Sequence, residues 1–291
     1  MLSEPFIFKK HIYKCFLNKN LPEYALLPNF VCEILIIMVE LTNNLRKLVA
    51  SLDNARARRD NGLFVAEGTK CVLDTLHNFS CRYLFATSAW IERHHAEIGA
   101  VEPVTVKRAD MERMSHLSTP PEVMAVYDIP SNELDESEFR HNLTIVLDRV
   151  QDPGNLGTIM RIADWFGIRQ IVCSHDTVDV YNPKVVQATM GAISRVKVCY
   201  ESLVDLLGRL DDVPVFGTFL DGDDIYSSEL SGCGMIVFGN EGQGISPDVE
   251  RLVSSRLTIP SFPPGAVTSE SLNVGMAAAV TVAEFRRRIY C

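Results

Sequence analysis

Residues 148–168, DRVQDPGNLGTIMRIADWFGI, set a carboxamide, Asn155, six positions ahead of a guanidinium, Arg161. Pro153 and Gly154 make a turn, and Asn155 is a natural N-cap for a helix over Leu156–Trp165. Ile159, Ile162 and Phe166 mark the buried side of that helix. Arg161 then either reaches back toward its N-terminal end or lies on the surface. A second segment, GNEGQGIS over residues 239–246, leads from a strand into Gly-x-x-Gly-x-Gly, a pattern that lets backbone approach a ligand closely. Glu241, set among these glycines, suits a cationic or hydroxyl-bearing ligand. The dinucleotide fingerprint fails: read from Gly242, Pro247 stands where the third glycine belongs, and there is no Walker lysine. A third segment begins TIPSFPPG, where Pro260, Pro263 and Pro264 exclude helix. A backbone held this rigidly can present amides and carbonyls to a flat heterocycle at little entropic cost. The segment continues into a helical pattern over Ser269–Arg288, with Ser269 or Ser271 as candidate N-cap. Its small residues Gly275–Ala279 allow close approach. Arg286–Arg288 lie where cations complement the helix dipole.

Such side chains need a frame. After residue 142, apolar runs alternate with helical patterns: Leu143–Leu147, Ile168–Cys173, Val196–Tyr200, Val213–Leu220, Met235–Gly239 and Arg256–Ile259. This predicts a mostly parallel sheet covered on both faces. Ligands of such sheets bind beyond the carboxyl ends of the strands, where the polar segments lie. Before residue 128 the pattern is that of a smaller α/β domain. Gly62–Glu67, Arg82–Ala86 and Glu122–Tyr127 read as strands. Leu41–Leu52, Thr69–Asn78 and Ser88–Ile98 read as helices. Residues 128–142 are acidic and turn-rich, a linker. Five basic residues fall within 46–59 against one acid. Arg56, Arg58 and Arg59 are there either to contact phosphates or to solvate a helix end.

The 291 residues suffice for two domains. A net charge of −9 excludes a surface coated in positive potential and leaves room for a local basic patch. The eight cysteines form no C-x-x-C pair, which argues for free thiols in a reducing compartment, and no zinc site or other metal is expected. The apolar run Val31–Val39 is too short to span a bilayer, so no membrane association and a cytoplasmic location are expected. Residues 1–38 do not resemble the rest of the chain. They are either a leader preceding a start at Met38 or a genuine extension.

Three motifs occur in order: N-x-G-x-x-x-R-x-A (Asn155, Gly157, Arg161, Ala163), G-N-E-G-x-G-I-S (Gly239–Ser246), and I-P followed by S-L-N-V (Ser271–Val274). Together they resemble the motifs of the SpoU/TrmH family, S-adenosylmethionine-dependent RNA ribose 2′-O-methyltransferases of the SPOUT class. GLFVAEG (Gly62–Gly68) and STPPEVMAV (Ser118–Val126) resemble that family's substrate-binding domain. The resemblance implies an α/β fold: a SPOUT-type trefoil-knotted parallel-sheet domain over 142–291, a linker over 129–141, and a smaller L30e-like RNA substrate-binding domain over 39–128. It implies a homodimer acting on rRNA or tRNA, with S-adenosyl-L-methionine held by Gly239, Ile259 and Leu272. Asn155, Arg161, Glu241 and Asn273 would form the catalytic group, with Arg161 either orienting the hydroxyl and stabilising alkoxide charge alone or also taking its proton. Arg56, Arg58 and Arg59 of the basic cluster are the candidate RNA contacts. Arg195, within QATMGAISRV (Gln187–Val196), either contacts RNA or caps a surface, and Arg286–Arg288 either contact RNA or only complement the helix dipole. The sequence departs from the family pattern at Gly275, where serine is common, at Thr189, where serine is frequent, and in a longer segment between Ile259 and Ser271. Two other classes compete: an RNA-binding assembly factor without catalysis, and a nucleotide-dependent oxidoreductase, which the failed glycine fingerprint disfavours.

Overall fold

The computed structural model describes residues 41–263 and 269–290. The leader before Met38, the run Val31–Val39 and the turn residues Pro264 and Gly265 lie outside them.

The chain opens with two short capped helices. Thr42 accepts the Leu45 N–H to start α1 (Asn43–Ser51), and Asn54 accepts the Arg56 N–H to start α2 (Ala55–Asn61). Gly62, at φ +63°, ends α2 and turns the chain into β1 (Leu63–Glu67). Then come α3 (Thr69–Thr75), β2 (Cys81–Ala86), α4 (Ser88–Ile98), β3 (Pro103–Thr105), α5 (Arg108–Met114) and β4 (Val123–Asp128). The four strands form one sheet in the order β1-β4-β2-β3, with β4 antiparallel to both neighbours. Neither β3 nor α5 is evident from the residue pattern. The strand is only three residues long, and α5 is held by burial of Met111 and Met114 rather than by its polar composition.

The acidic linker contains one helical turn, α6 (Glu138–His141), which buries Phe139. Beyond it come β5 (Leu143–Leu147), α7 (Pro153–Trp165), β6 (Gln170–Cys173), α8 (Pro183–Ala188), β7 (Lys197–Tyr200), α9 (Leu203–Gly208), β8 (Val215–Asp224), β9 (Gly234–Phe238), α10 (Pro247–Glu250), β10 (Ser255–Thr258) and α11 (Val274–Tyr290). The six strands form a sheet in the order β10-β8-β9-β5-β6-β7, and every neighbouring pair is parallel. Side chains alternate across β5. Ile145 and Leu147 pack in the cluster that holds Leu156, Ile159 and Met160 of α7, while Val146 packs with Leu203, Leu206 and Leu207 of α9. Both faces are thus covered, which is why the strands are continuous apolar runs.

The α7 cluster continues into the small sheet through Phe64, Ala66 and Tyr127, and the Phe64 and Tyr181 rings lie 4.7 Å apart. One polar tie crosses the same junction. Arg58 is 1% exposed and donates through Nε and Nη2 to Asp179 Oδ2, at 2.9 and 2.5 Å, and through Nη1 to the carbonyls of Leu52 and Asp53. This corrects the expectation that Arg58 faces phosphate: α2 turns it inward. The five cysteines among the described residues for which thiols are resolved (Cys71, Cys81, Cys173, Cys199 and Cys233) are free. Among the described residues no helix is long and apolar enough to cross a membrane, and no cluster of His, Cys, Asp or Glu is arranged to hold a metal ion.

Candidate active site

β5 neighbours β6, the next strand in the chain, on one side and β9 on the other, so the sheet changes direction between β5 and β9. A crevice opens beyond the carboxyl ends of strands at such a switch point. The loops after these two strands are the first two polar segments of the sequence.

In the first loop Asp152, not Asn155, caps α7. Its Oδ1 accepts the Asn155 N–H at 2.9 Å, and Pro153 occupies the first helical turn, where the absence of an N–H costs nothing. The helix therefore begins at Pro153, and the Asn155 carboxamide is released from capping. Its Nδ2 donates to Glu241 Oε1 at 2.6 Å, and its Oδ1 accepts from Asn273 Nδ2 at 2.9 Å.

Glu241 sits in a five-residue turn closed by reciprocal backbone hydrogen bonds between Asn240 and Gly244, at 3.0 and 2.9 Å. Asn240 Oδ1 accepts the N–H groups of Gly242 and Gln243, which fixes the turn from inside. A Cβ on Gly239 would lie 2.1 Å from the Gly244 carbonyl carbon, so any side chain there would force the turn open. Asn240 is a residue that sequence reasoning missed. An Asx residue ahead of a glycine was the available signal.

In the third segment α11 starts at Val274, later than Ser269 or Ser271 would have it. Asn273 is the cap: its Oδ1 accepts the N–H groups of Gly275 and Met276, at 2.9 and 3.3 Å. Gly275 is tightly placed, since a Cβ would lie 3.2 Å from both Asn273 Oδ1 and Thr158 Cγ2. The result is an oriented chain of donors, from the α11 amides through Asn273 and Asn155 to Glu241. Glu241 and Asn273 are exposed and Asn155 is half-buried, so the chain faces solvent.

Arg161 does not join it. Six residues on from Asn155 amounts to about 9 Å along α7 and about 240° around it. The side chain is exposed and, among the described residues, makes no hydrogen bond or ion pair. One turn later Trp165 is 85% exposed, and Met276 at the start of α11 is 62% exposed. Of the donor-binding candidates, Ile259 is half-buried against the core and Leu272 is 51% exposed. Arg56 and Arg59 are exposed, Arg56 only 3.6 Å from Asp60. Arg195 forks onto Asp164, at 2.8 to 3.0 Å. Arg286 donates to the Phe166 carbonyl, while Arg287 and Arg288 both bind Glu284.

The chain is similar to known proteins in sequence and in fold. Residues 142–283 match the SpoU rRNA Methylase family and residues 43–125 an MRM3-like substrate binding domain. The 23S rRNA (guanosine(2553)-2'-O)-methyltransferase RlmP of Bacillus subtilis is 30% identical over 176 residues, which cover 60% of this chain and 68% of that relative. The chain belongs to the SpoU rRNA methylase family. Among solved SpoU and TrmH proteins, a TrmH-family protein from Porphyromonas gingivalis is 40% identical, with a TM-score of 0.77 over 85% of this chain and 99% of that one. An rRNA methyltransferase from Sinorhizobium meliloti with AdoMet bound is 26% identical, with a TM-score of 0.75 over 86% of this chain and 98% of that one. The SPOUT-type α/β architecture is common to this SpoU chain and these structures.

Proposed function

We propose that the Asn155–Glu241–Asn273 chain is the catalytic centre of a methyl transfer from S-adenosylmethionine to a ribose 2′-hydroxyl of rRNA or tRNA, with Arg161 orienting that hydroxyl. The class of enzyme, an S-adenosylmethionine-dependent RNA 2′-O-methyltransferase, follows from family membership. The observation that carries the assignment of residues is the bonding of three side chains, from the first turn of α7, the turn after β9 and the cap of α11, at the switch point of the sheet.

The residues present fit the methyl donor. Ile259 and the exposed Leu272 offer apolar surface beside non-helical, uncharged backbone, which suits the face of a purine. The tight turn at Gly239 leaves backbone rather than side chain at that edge. When bound, S-adenosylmethionine would supply an electrophilic methyl group on a positively charged sulfur, with Gly239, Ile259 and Leu272 as the residues that would hold it.

A ribose hydroxyl must lose its proton as it attacks. Of the four polar groups only Glu241 can accept a proton at neutral pH, because amides are poor bases and a guanidinium stays protonated. Asn155 occupies one carboxylate oxygen and leaves the other for the hydroxyl. Asn273 fixes Asn155 in turn, so the carboxylate is held before substrate arrives, which is the positioning contribution to catalysis. Arg161 stabilises the developing alkoxide.

Because Arg161 has no partner among the described residues and shares its helix with the exposed Trp165, a second copy of the chain completes the site. The homodimer is supported by the exposure of two large apolar side chains, Trp165 on α7 and Met276 on α11. Arg56 and Arg59 are the RNA contacts on the smaller domain. The knotted passage of the C-terminal segment and a cytoplasmic location complete the reading. Arg161→Ala and Glu241→Gln should bind donor in calorimetry yet lose about 100-fold or more in methyl transfer to RNA. Full activity in a folded Arg161→Ala protein removes Arg161 from the mechanism. Absence of donor binding by the unaltered protein favours an assembly factor.

A further inference from the structure

The second residue of the loop after β5 is Arg149, which the proposed methyl transfer does not use. Arg149 has φ +60°, in the left-handed region, where a side chain costs roughly 1 kcal/mol. Its surroundings hold it there. The Arg149 N–H donates to Ser174 Oγ at 2.9 Å, and its carbonyl accepts from Asn240 Nδ2 at 2.9 Å. The guanidinium then crosses to the neighbouring loop. Nη1 donates to Gln243 Oε1 at 3.0 Å, Nη2 reaches the Gly244 carbonyl at 3.5 Å, and Nε lies 3.4 Å from Asp148 Oδ1. Asp148 is itself buried, and its other oxygen accepts the Ser246 N–H at 2.6 Å.

Arg149 and Asp148 therefore grip residues 243–246, the returning limb of the turn that carries Glu241. Asn155, six positions further along the same loop, grips Glu241 itself. We propose that Arg149 is a positioning residue for the reaction: its guanidinium braces the Gln243–Gly244 side of the turn so that Glu241 stays bonded to Asn155. The inference rests on Glu241 being the proton acceptor. The Asn240–Gly244 bonds and Asn240 Oδ1 close the turn on itself, and the Asn155 bond to Glu241 adds about 1 kcal/mol between exposed groups. Arg149 ties that closed turn to the loop after β5 from outside, and strain at a non-glycine residue is retained where geometry matters.

Backbone and side chain can be separated experimentally, because Arg149→Gly keeps the N–H bond to Ser174 and the carbonyl bond from Asn240. It relieves the left-handed strain and deletes the guanidinium with its contacts to Gln243, Gly244 and Asp148. The expected result is a melting temperature equal to or above that of the unaltered protein, an unchanged KM for RNA, and a kcat reduced about tenfold or more. Gln243→Ala, which removes one acceptor, should give a smaller fall in kcat. The double variant should be no worse than Arg149→Gly, because both changes break one contact. A kcat for Arg149→Gly equal to that of the unaltered protein overturns the proposal, as does a loss of kcat accompanied by a matching loss of melting temperature. Glu241→Gln run alongside separates the two readings. If it is inactive while Arg149→Gly is fully active, the Arg149 inference alone fails. If Glu241→Gln is fully active, the Glu241 assignment fails and takes this inference with it.

Discussion

Two polar junctions join distant parts of this chain, and their surroundings are opposite. Arg58 reaches Asp179, 121 positions away, from a site 1% exposed, with two backbone carbonyls taking its Nη1 donors. Asn155 reaches Glu241 and Asn273, 86 and 118 positions away, where both partners are exposed. A buried guanidinium leaves water behind and must have its donors met, so its contact acts as a fixed joint. Exposed amides and carboxylates exchange protein partners for water or ligand at small cost. Burial, rather than residue type, thus separates the arginine that builds the domain junction from the polar groups available for chemistry.

That contrast can be broken, and the largest effect expected is at the buried joint. Arg58→Ala should lower stability by about 3 kcal/mol, read from urea unfolding, because Asp179 and two carbonyls lose their donor together. A change under about 1 kcal/mol would mean that the junction is held by the Phe64 and Tyr181 packing alone. The exposed chain should behave in the reverse way. Asn155→Ala should cost about 100-fold in methyl transfer and no more than about 0.5 kcal/mol in stability, since Asp152 retains the cap of α7. A thermal melt that falls as far as that of Arg58→Ala would dissolve the distinction.

Glu284 sharpens the comparison, being buried while its partners Arg287 and Arg288 are 55% and 32% exposed. Hydrogen bonding, first from Arg287 and then from Arg288, holds its carboxyl down to about 2 from 4.5 against the opposing effect of burial. A depressed carboxyl pKa contributes stability that is complete above pH 4.5 and is lost as pH falls toward 2. With partners screened by solvent, the contribution is about 1 kcal/mol. Glu284→Gln should therefore flatten the acid side of the stability curve across that window and leave methyl transfer at neutral pH unchanged.

Much of the frame is legible in the order of residues. The strand over Leu143–Leu147 and the helix over Ser88–Ile98 occur with the bounds their patterns suggest, because each is an uninterrupted apolar run or a capped periodic segment. The other parallel strands overlap the apolar runs read from the sequence, but β8 extends past Leu220 through the polar residues to Asp224, and β10 holds a single large apolar residue, Leu257. Capping defeats the sequence twice, and for one cause. Asn155 and Asn273 can each cap a helix, but so can Asp152, Ser269 and Ser271, and local preference does not choose among adjacent candidates. The choice has consequences. Asp152 takes the cap of α7 and frees Asn155, whereas Asn273 caps α11 through its oxygen and still donates through its nitrogen. Arg58 cannot be told from its neighbours because a run of arginines looks alike in sequence, while a helix only seven residues long sends Arg56 and Arg59 outward and Arg58 into the junction.

By itself the sequence determined the alternation of strands and helices, the three polar segments at strand ends and the glycine that the turn at 239 requires. These arise from side-chain periodicity and from steric limits that act within a few residues. Tertiary structure decided which amide caps and which is left to bond across loops, that Arg161 stands apart from the Asn155–Glu241–Asn273 chain, and that Arg149 spans to Gln243, 94 positions away. Those outcomes depend on the parallel pairing of β5 with β9, which brings together two loops far apart in sequence, and on desolvation, which depends on what surrounds a group rather than on what precedes it.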